Sequence, residues 1–161
     1  MIMCYRRDLF SFYELANHVI IKELYYCNNA QDLDENVRRK GRSKRKLTLI
    51  ELWKHEDNTV CIHPGWDLFT GWLAIRESWV TIFGNTEMIK FIITNPKVRV
   101  FNNNIAVVVC LENIETSVNR QNVKLGVIAT NIFENDDTNQ WLLIHHHGSS
   151  ISSYIPPTLS L

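Results

Sequence analysis

Four long segments with the composition of β-strands dominate the second half of the chain. They are rich in Val, Ile, Phe and Thr, and they run from Met88 to Phe101, Ile105 to Glu115, Val123 to Glu134 and Trp141 to His147. Only short polar stretches separate them. Such loops join antiparallel neighbours, because parallel strands need a crossover of a dozen or more residues. The pattern therefore predicts an antiparallel meander and restricts the fold to classes built around one such sheet.

Three segments before this meander have the periodicity of amphipathic helices. Apolar residues recur at three- and four-residue spacing over 12–27 and 70–83, and a shorter helix is predicted over 47–53. A short strand over 59–63 must end at the Pro-Gly pair that follows it. Helices followed by a run of strands predict an α+β fold, with N-terminal helices packed on a mainly antiparallel sheet.

The last predicted strand carries apolar residues on both of its faces. One parity of 141–147 holds Trp141, Leu143, His145 and His147, and the other holds Leu142, Ile144 and His146. A sheet with one face in water alternates more cleanly than this. Because three helices can cover only one face, we predict that a second copy of the chain covers the other face and forms a homodimer.

The charges balance in number but not in position. Seventeen Lys and Arg residues match 17 Asp and Glu residues. Seven of the basic residues are clustered, at Arg38, Arg39, Lys40, Arg42, Lys44, Arg45 and Lys46. Clustered cations can bind phosphate backbones, but this segment has no interleaved aromatic residues and no motif that reads RNA or DNA. We interpret it as a solvated loop or as a contact for an acidic protein partner, not as a nucleic-acid site.

The cysteines indicate the compartment in which such a chain folds. All four are widely separated and form neither a disulfide framework nor a metal-binding pattern. We interpret them as free thiols in a reducing intracellular compartment, either the cytoplasm or an organelle stroma such as that of a plastid. No apolar run is long enough to span a membrane, and residues 1–10 lack the apolar core of a signal peptide. A soluble protein is therefore expected.

Three ordered motifs resemble those of one known family. Residues 61–83 (CIHPGWDLFTGWLAIRESWVTIF) resemble an HPG motif followed by G-W-x-x-I-x-x-S-W-x-x-I-F, residues 128–133 (IATNIF) an ATN-x-F strand, and residues 141–148 (WLLIHHHG) a closing W-x-x-x-HHH-G strand. These motifs are similar to those of the SnoaL-like branch of the nuclear transport factor 2-like superfamily. The resemblance implies a cone: a strongly curved sheet around a pocket, with helices at its mouth and a homodimer formed through the outer face.

The resemblance also implies how the chain is divided. We expect an N-terminal extension over 1–10, a single SnoaL-like domain over 11–150, and a flexible tail over 151–161. The basic segment, about residues 36–46, is an insertion relative to the family pattern. Because it falls near the expected mouth of the cone, the ligand preference of the family does not transfer directly to this chain.

Histidines are the first candidates for chemistry. The resemblance implies that His63, the motif histidine, projects into the pocket as a ligand contact or general acid/base. The structural alternative is that its ring satisfies a buried backbone group. In the HHH run, alternate residues share a strand face, so His145 and His147 are expected to converge with His63, and His146 is not. Three imidazoles suit zinc, yet no carboxylate supports such a site, and we predict no metal and no cofactor.

Other candidates belong to the expected pocket wall. Glu112 interrupts an apolar strand. Burying a carboxylate there costs free energy unless the group is paired or in contact with water. Glu112 is either a pocket acid with a raised pKa or a group with a salt-bridge or hydrogen-bond partner at the dimer face. Asn131 is placed to bond a ligand or a neighbouring strand. Trp53, Trp66 and Trp79 offer flat apolar surfaces to a ligand, although residues at the helical spacing of Trp79 more often belong to the core.

Two functions remain open on this basis, since the fold does not select one. The first is binding of a small, partly hydrophobic molecule, with acid/base activity of the isomerase, dehydratase or cyclase type. Its catalytic candidates are His63, His147 and Glu112, and its ligand-binding candidates are His63, Trp66, Trp53, Trp79, Asn131, His145 and His147. The second is a non-catalytic dimeric assembly module that uses the sheet face and the basic loop. The sequence contains no nucleophile elbow, phosphate loop or metal signature.

Overall fold

The computed structural model describes residues 49–86, 88–118, 121–136, 138 and 140–153. Its elements, in chain order, are α1 (Leu49–Leu52), β1 (Val60–Ile62), β2 (Leu68–Thr70), α2 (Trp72–Gly84), β3 (Met88–Phe101), β4 (Ile105–Val118), β5 (Gln121–Asn135) and β6 (Trp141–Ser150). The predicted helix over 12–27, the basic segment, the N-terminal extension and most of the predicted tail lie outside these residues.

The six strands of the described residues form one curved, mixed sheet in the order β2-β1-β6-β5-β4-β3. The four long strands β3 to β6 pair with their chain neighbours in antiparallel fashion, so the predicted meander is confirmed. The short strand β1 pairs in parallel with β6, placing Cys61 opposite His146. This pairing brings the HPG segment beside the triple-histidine strand, although about 80 residues of sequence separate them.

The helix predicted over 70–83 begins later than expected, because a short strand precedes it. Residues Leu68–Thr70 form β2, and the helix occupies Trp72–Gly84. Gly71 separates the two elements with φ 84°, a left-handed conformation that glycine adopts without steric cost. Its N–H donates to the Thr59 carbonyl at 2.8 Å, and its own carbonyl accepts from the N–H of Ile75 at 3.1 Å. Gly71 therefore ends the strand and starts the helix.

Strands β4 and β5 extend beyond their predicted ends, into the polar stretch that was expected to be a loop. Their ladder continues from Ile105↔Glu134 to Val118↔Gln121. Polar side chains support it there: the Thr116 hydroxyl donates to the Met88 carbonyl at 3.0 Å, and Lys124 pairs with Glu115 at 2.9 Å. Backbone ladder bonds do not require apolar side chains, so the polar composition did not interrupt the strands.

The core lies between helix α2 and the concave face of the sheet. On the helix, Ile75, Trp79 and Phe83 recur at four-residue spacing and are buried. Trp79 packs against Phe83, with ring centroids 5.6 Å apart, and against Phe91 of β3, with centroids 6.5 Å apart. The helix thus closes one side of the concave face, and polar side chains buried there form the candidate site.

Candidate functional site

Five of the eight buried polar side chains among the described residues form the candidate site, on the inner side of the sheet and on the helix face that covers it. Each exposes between 3% and 7% of its surface; they are His63, Ser78, Glu112, Asn131 and His146. Burial of polar groups is costly unless they are hydrogen-bonded. The bonds of each group therefore indicate which side chains are structural and which remain available to a ligand.

His63 links the end of β1 to helix α2. Its Nε2 lies 2.8 Å from the Ser78 hydroxyl, which itself donates to the Ile75 carbonyl at 2.7 Å. Because that hydroxyl has already used its proton, Nε2 must carry the hydrogen and donate to the hydroxyl oxygen. Burial lowers the pKa of His63 to about 4, so the ring is neutral near pH 7 and Nδ1 is an acceptor.

Aromatic rings enclose the His63 imidazole. Trp79 and Trp66 meet it edge-on at centroid distances of 4.7 Å and 5.5 Å, and Phe69 is tilted against it at 5.8 Å. Trp66 itself is 42% exposed, so it forms the outer wall of this cluster. The structural alternative for His63 named a backbone partner, whereas the partner found is the Ser78 side chain, which sequence reasoning missed within the S-W motif.

His146 is the second buried imidazole, and Asn131 holds it in place. Its Nδ1 donates to the Asn131 Oδ1 at 2.7 Å, and the Asn131 amide nitrogen is directed at the Cys110 sulfur at 3.9 Å. Burial lowers the pKa of His146 to about 3. The ring is therefore neutral, with its hydrogen on Nδ1 and an acceptor at Nε2. The His63 and His146 ring centroids are 6.3 Å apart.

The prediction that His145 and His147 converge with His63 is wrong. His145 pairs with Ile132 while Leu143 pairs with the adjacent Phe133, so Ile144 is left without a partner in the ladder. This β-bulge reverses the alternation of β6. Leu143 and His146 are both buried, whereas His145 is partly buried and His147 is exposed, on the opposite face. Of the three histidines, only His146 shares the interior with His63.

Glu112 lies in the middle of β4 among apolar neighbours. Its register partners are Ile93 and Val127, both buried, and only 3% of its own surface is exposed. Burial raises the pKa of Glu112 to about 7. Within the described part of the chain its Oε1 has no hydrogen-bond partner, and no cation forms an ion pair with it. The alternative, a salt-bridge or hydrogen-bond partner at the dimer face, would involve a second copy of the chain and stays a prediction.

Two cysteine thiols lie within the electrostatic reach of Glu112. Burial first, and the Glu112 charge second, raise the pKa of Cys61 and Cys110 to about 12. The Cys61 sulfur also lies 3.7 Å from His63 Nε2 and 3.9 Å from Nδ1. This contact places Glu112 in the same region of the interior as His63. Thiols that stay protonated are poor nucleophiles, so neither cysteine is suited to covalent catalysis.

Two indole nitrogens in the interior also lack partners. The Nε1 atoms of Trp79 and Trp53 are buried and have no hydrogen bond among the residues that the structure describes. Trp79 contacts the His63 ring, while Trp53 pairs with Leu143 through an isolated bridge near the start of β6. Buried donors and acceptors are satisfied in the great majority of cases. Among the described residues, Trp53, Trp79 and Glu112 therefore have hydrogen-bonding capacity to spare in the interior.

Two further properties bear on the kind of site. Over the described ranges, no three or more His, Cys, Asp or Glu side chains are arranged to hold a metal ion. No helix in those ranges is long and apolar enough to cross a bilayer. The inner side of the sheet instead combines buried apolar side chains with a few buried hydrogen-bonding groups, among them His63, Glu112 and His146.

Comparisons with known proteins agree on the fold and on the family. A sequence profile for the SnoaL-like domain matches residues 42–153. A solved structure from Streptomyces avermitilis is provisionally assigned as a dehydratase of the nuclear transport factor 2-like family. It is 35% identical in sequence to this chain, with a TM-score of 0.55, and the match covers 59% of this chain and 67% of that protein's chain. A structure from Xanthomonas campestris is provisionally assigned as a calcium/calmodulin-dependent protein kinase II association domain. It has a TM-score of 0.62 at 16% sequence identity, and the match covers 94% of this chain and 91% of that protein's chain.

One curated relative is longer than this chain. The F-box protein SKIP8 of Arabidopsis thaliana is 27% identical over 109 residues, which cover 67% of this chain. The same residues cover 43% of that protein. The similarity therefore concerns less than half of the relative.

Proposed function

Because the chain belongs to the SnoaL-like domain family, we propose that it binds a small, partly apolar molecule inside the curved sheet and that Glu112 acts there as an acid/base group. The observation that carries this proposal is the buried Glu112 carboxyl group, whose Oε1 has no partner among the described residues. A carboxyl group serving only the core would be expected to have a bonded partner. A ligand in the interior supplies one.

The protonation state of Glu112 suits proton transfer near neutral pH. A carboxyl group whose pKa is about 7 is available in both its acid and its base form under ordinary conditions. His63 and His146 have a different part in this proposal. Both rings are neutral and each has a hydrogen bond that fixes its orientation, so they shape the wall and supply acceptors.

Apolar side chains supply the rest of the wall. Trp79 and Phe91 lie in contact on the inner side, and Val127 and Ala129 of β5 face the same interior. Such a lining, with a few convergent polar groups, is typical of small-molecule sites. The similarity to a provisionally assigned dehydratase supports a reaction of the proton-transfer type, such as elimination of water or isomerisation.

Mass spectrometry of the protein purified from its own source tests the proposal. Native spectra report a retained molecule as added mass, and spectra after denaturation give the mass of the released compound. We expect an adduct of a few hundred daltons at most in the parent and a smaller bound fraction in Glu112→Leu. Equal occupancy in both proteins would contradict the assignment of Glu112 to the site.

A second candidate function is a dimeric assembly module, and the outer face of the sheet favours it. Val109 and Ile128 lie on that face and are 37% and 51% exposed, beside the exposed His147. The fold likeness to an association domain is compatible with this use. In this reading the outer face contacts a second copy, and the basic segment contacts an acidic partner.

Sedimentation of the parent and of Ile128→Lys separates the two readings. A dimer in the parent that dissociates in the variant supports assembly through this face. The matched control is Leu73→Lys, because Leu73 is a 76% exposed residue on α2, away from the sheet. A parent that sediments as a monomer would contradict the second function.

A further inference from the structure

The bulge in β6 leaves two histidines on the outer face of the sheet, apart from the candidate site. His146 is buried on the inner side, whereas His145 is partly exposed and His147 is exposed on the other side. Alternate residues of a strand share one face, with their Cα atoms about 6.6 Å apart. Aromatic side chains can contact each other across such a distance. The rings of His145 and His147 can therefore converge on a single ion.

The backbone that carries this pair is fixed from both sides. At His145 and His147, β6 is paired in parallel with β1 and in antiparallel with β5. Ligands on strands fixed in this way are positioned more precisely than ligands on loops. The four residues that pair with the two histidines are uncharged; they are Val60, Ile62, Thr130 and Ile132. These neighbours in the ladder therefore do not repel a cation.

The two imidazoles also interact with each other. Burial, and second the charge of His147, lower the pKa of His145, so the two side chains lie within electrostatic range. His145 is therefore neutral near pH 7. A neutral imidazole has a lone pair on one ring nitrogen, and that nitrogen is the atom that binds a metal ion.

We propose that His145 and His147 form a two-imidazole site on the outer face for a divalent transition-metal ion, with Cu²⁺ bound more tightly than Ni²⁺ or Zn²⁺. Imidazole suits all three ions, and the affinity of a nitrogen site for divalent metals is highest for Cu²⁺. Two side chains are fewer than the three or four that hold zinc in proteins, so water completes the coordination. The prediction of no metal concerned the set that included His63, which the bulge excludes; the outer pair is a different arrangement.

Titration calorimetry near pH 7 with each of the three ions gives the affinity and the number of ions bound per chain. All proteins carry Cys4→Ser and Cys27→Ser, because thiolates also bind Cu²⁺ and Zn²⁺. The variants His145→Gln and His147→Gln, alone and combined, remove the proposed ligands. His55→Gln is the matched control, because His55 is an exposed histidine that precedes β1. Circular dichroism spectra verify the fold of each variant before binding is compared.

We expect one Cu²⁺ ion per chain and an affinity that falls roughly hundredfold in either single variant, because the advantage of two linked ligands is then lost. The double variant should lose little more, and His55→Gln should bind as the parent does. Losses of about twofold or less in the single variants would show that the two histidines do not hold one ion. One ion for every two chains would overturn the single-chain site in favour of an ion shared between copies.

Electron paramagnetic resonance of the Cu²⁺ complex tests the site without replacing either histidine. Hyperfine coupling of the copper to two imidazole nitrogens supports the proposal. Coupling to one nitrogen or to none contradicts it, whatever the affinity.

Discussion

Gly148 of β6 lies against the ring of Pro64, so closely that a methyl group on its Cα would meet the proline Cγ and Cδ atoms at 3.0 Å. The same methyl group would also lie 3.0 Å from Cγ1 of Val127. Contacts this short require the surrounding atoms to move. Gly148 therefore allows the HPG segment to pack directly on the closing strand, next to the buried imidazoles.

We predict that Gly148→Ala destabilises the domain by about 1–3 kcal/mol, the usual effect of overfilling a packed site. The crowding atoms are a proline ring and a side chain of an adjacent strand, neither of which can rotate away freely. Urea unfolding followed by circular dichroism measures the change. Gly84→Ala is the matched control, because nothing lies within 4 Å of its added methyl group. That control should be neutral or slightly stabilising, and equal losses in both variants would contradict the packing argument.

The hydrogen bond between His146 and Asn131 should have a measurable effect on stability. Asn131→Leu leaves the buried Nδ1–H of His146 without its acceptor, which costs about 1–3 kcal/mol. In the double variant Asn131→Leu with His146→Leu, no polar group of the pair is left unpaired. We therefore expect the double variant to be more stable than the sum of the two single effects predicts. Strict additivity in the same urea titration would indicate that the two side chains do not interact.

Glu112 should make the domain less stable as the pH rises. Its pKa is about 7 in the folded state against 4.5 as the ordinary value, so between these values the folded state holds a proton that the unfolded state has lost. Stability then falls with pH, because the folded state binds more protons. The full effect is on the order of 3 kcal/mol, complete above about pH 7. It should disappear in Glu112→Gln.

The control for Glu112 is Glu115, three residues further along β4. Its pKa is lowered, chiefly by the hydrogen bond with Lys124, so its contribution is gained rather than lost as the pH rises. In Glu115→Gln, the free energy of unfolding should therefore still decrease as the pH rises, as it does in the parent; we call this decrease the falling branch of the stability profile. Unfolding midpoints at several pH values between about 4 and 8 measure both variants. A falling branch that persists in Glu112→Gln would contradict the assignment.

The buried histidines should act in the opposite direction. Their pKa values are lowered from 6.5 to about 4 in His63 and about 3 in His146, so below about pH 6.5 the unfolded state takes up protons that the folded state does not. Stability is lost as the pH falls through this range. In the paired variant His63→Phe with Ser78→Ala, the free energy of unfolding should decrease less steeply with falling pH than it does in the parent. An equally steep acid transition would argue against neutral burial of His63.

Cys61 and Cys110 should resist alkylation in the folded protein. Both thiols are buried, and their pKa values near 12 leave almost no thiolate at pH 8. Peptide mapping after brief treatment with iodoacetamide should find both residues unmodified in buffer and modified in concentrated urea. Rapid modification of either one under native conditions would contradict the burial described here.

Much of the fold could be predicted from the sequence, because the periodicities that define it are local. The bounds of β3 agree with the expectation, and α2 buries Ile75, Trp79 and Phe83 at the helical spacing that was predicted over 70–83. The strand Leu68–Thr70 was missed because three residues carry too little periodicity to separate a strand from the start of a helix. Its existence depends on the pairing with β1, which is a tertiary contact.

The candidate site could be predicted only in part. His63, Glu112, Asn131 and Trp79 are buried on the inner side, and their role in a pocket stays a prediction. The prediction of which histidines face inward was wrong, because a β-bulge cannot be recognised from the residue pattern of a strand that is apolar on both faces. Ser78 was not selected, since a serine in a helix is usually solvated and only its contact with His63 reveals its part.

The bulge at Ile144 gives the HHH run a property that a single histidine would not have. If the ladder continued from Leu143 without the bulge, Asn131 would lie opposite His145 instead of His146. Either backbone arrangement thus presents an imidazole to the same amide. Because the histidines are consecutive, a shift of β6 by one residue relative to β5 still places an imidazole opposite Asn131. An insertion or deletion of one residue in this strand therefore leaves a histidine ring in the interior.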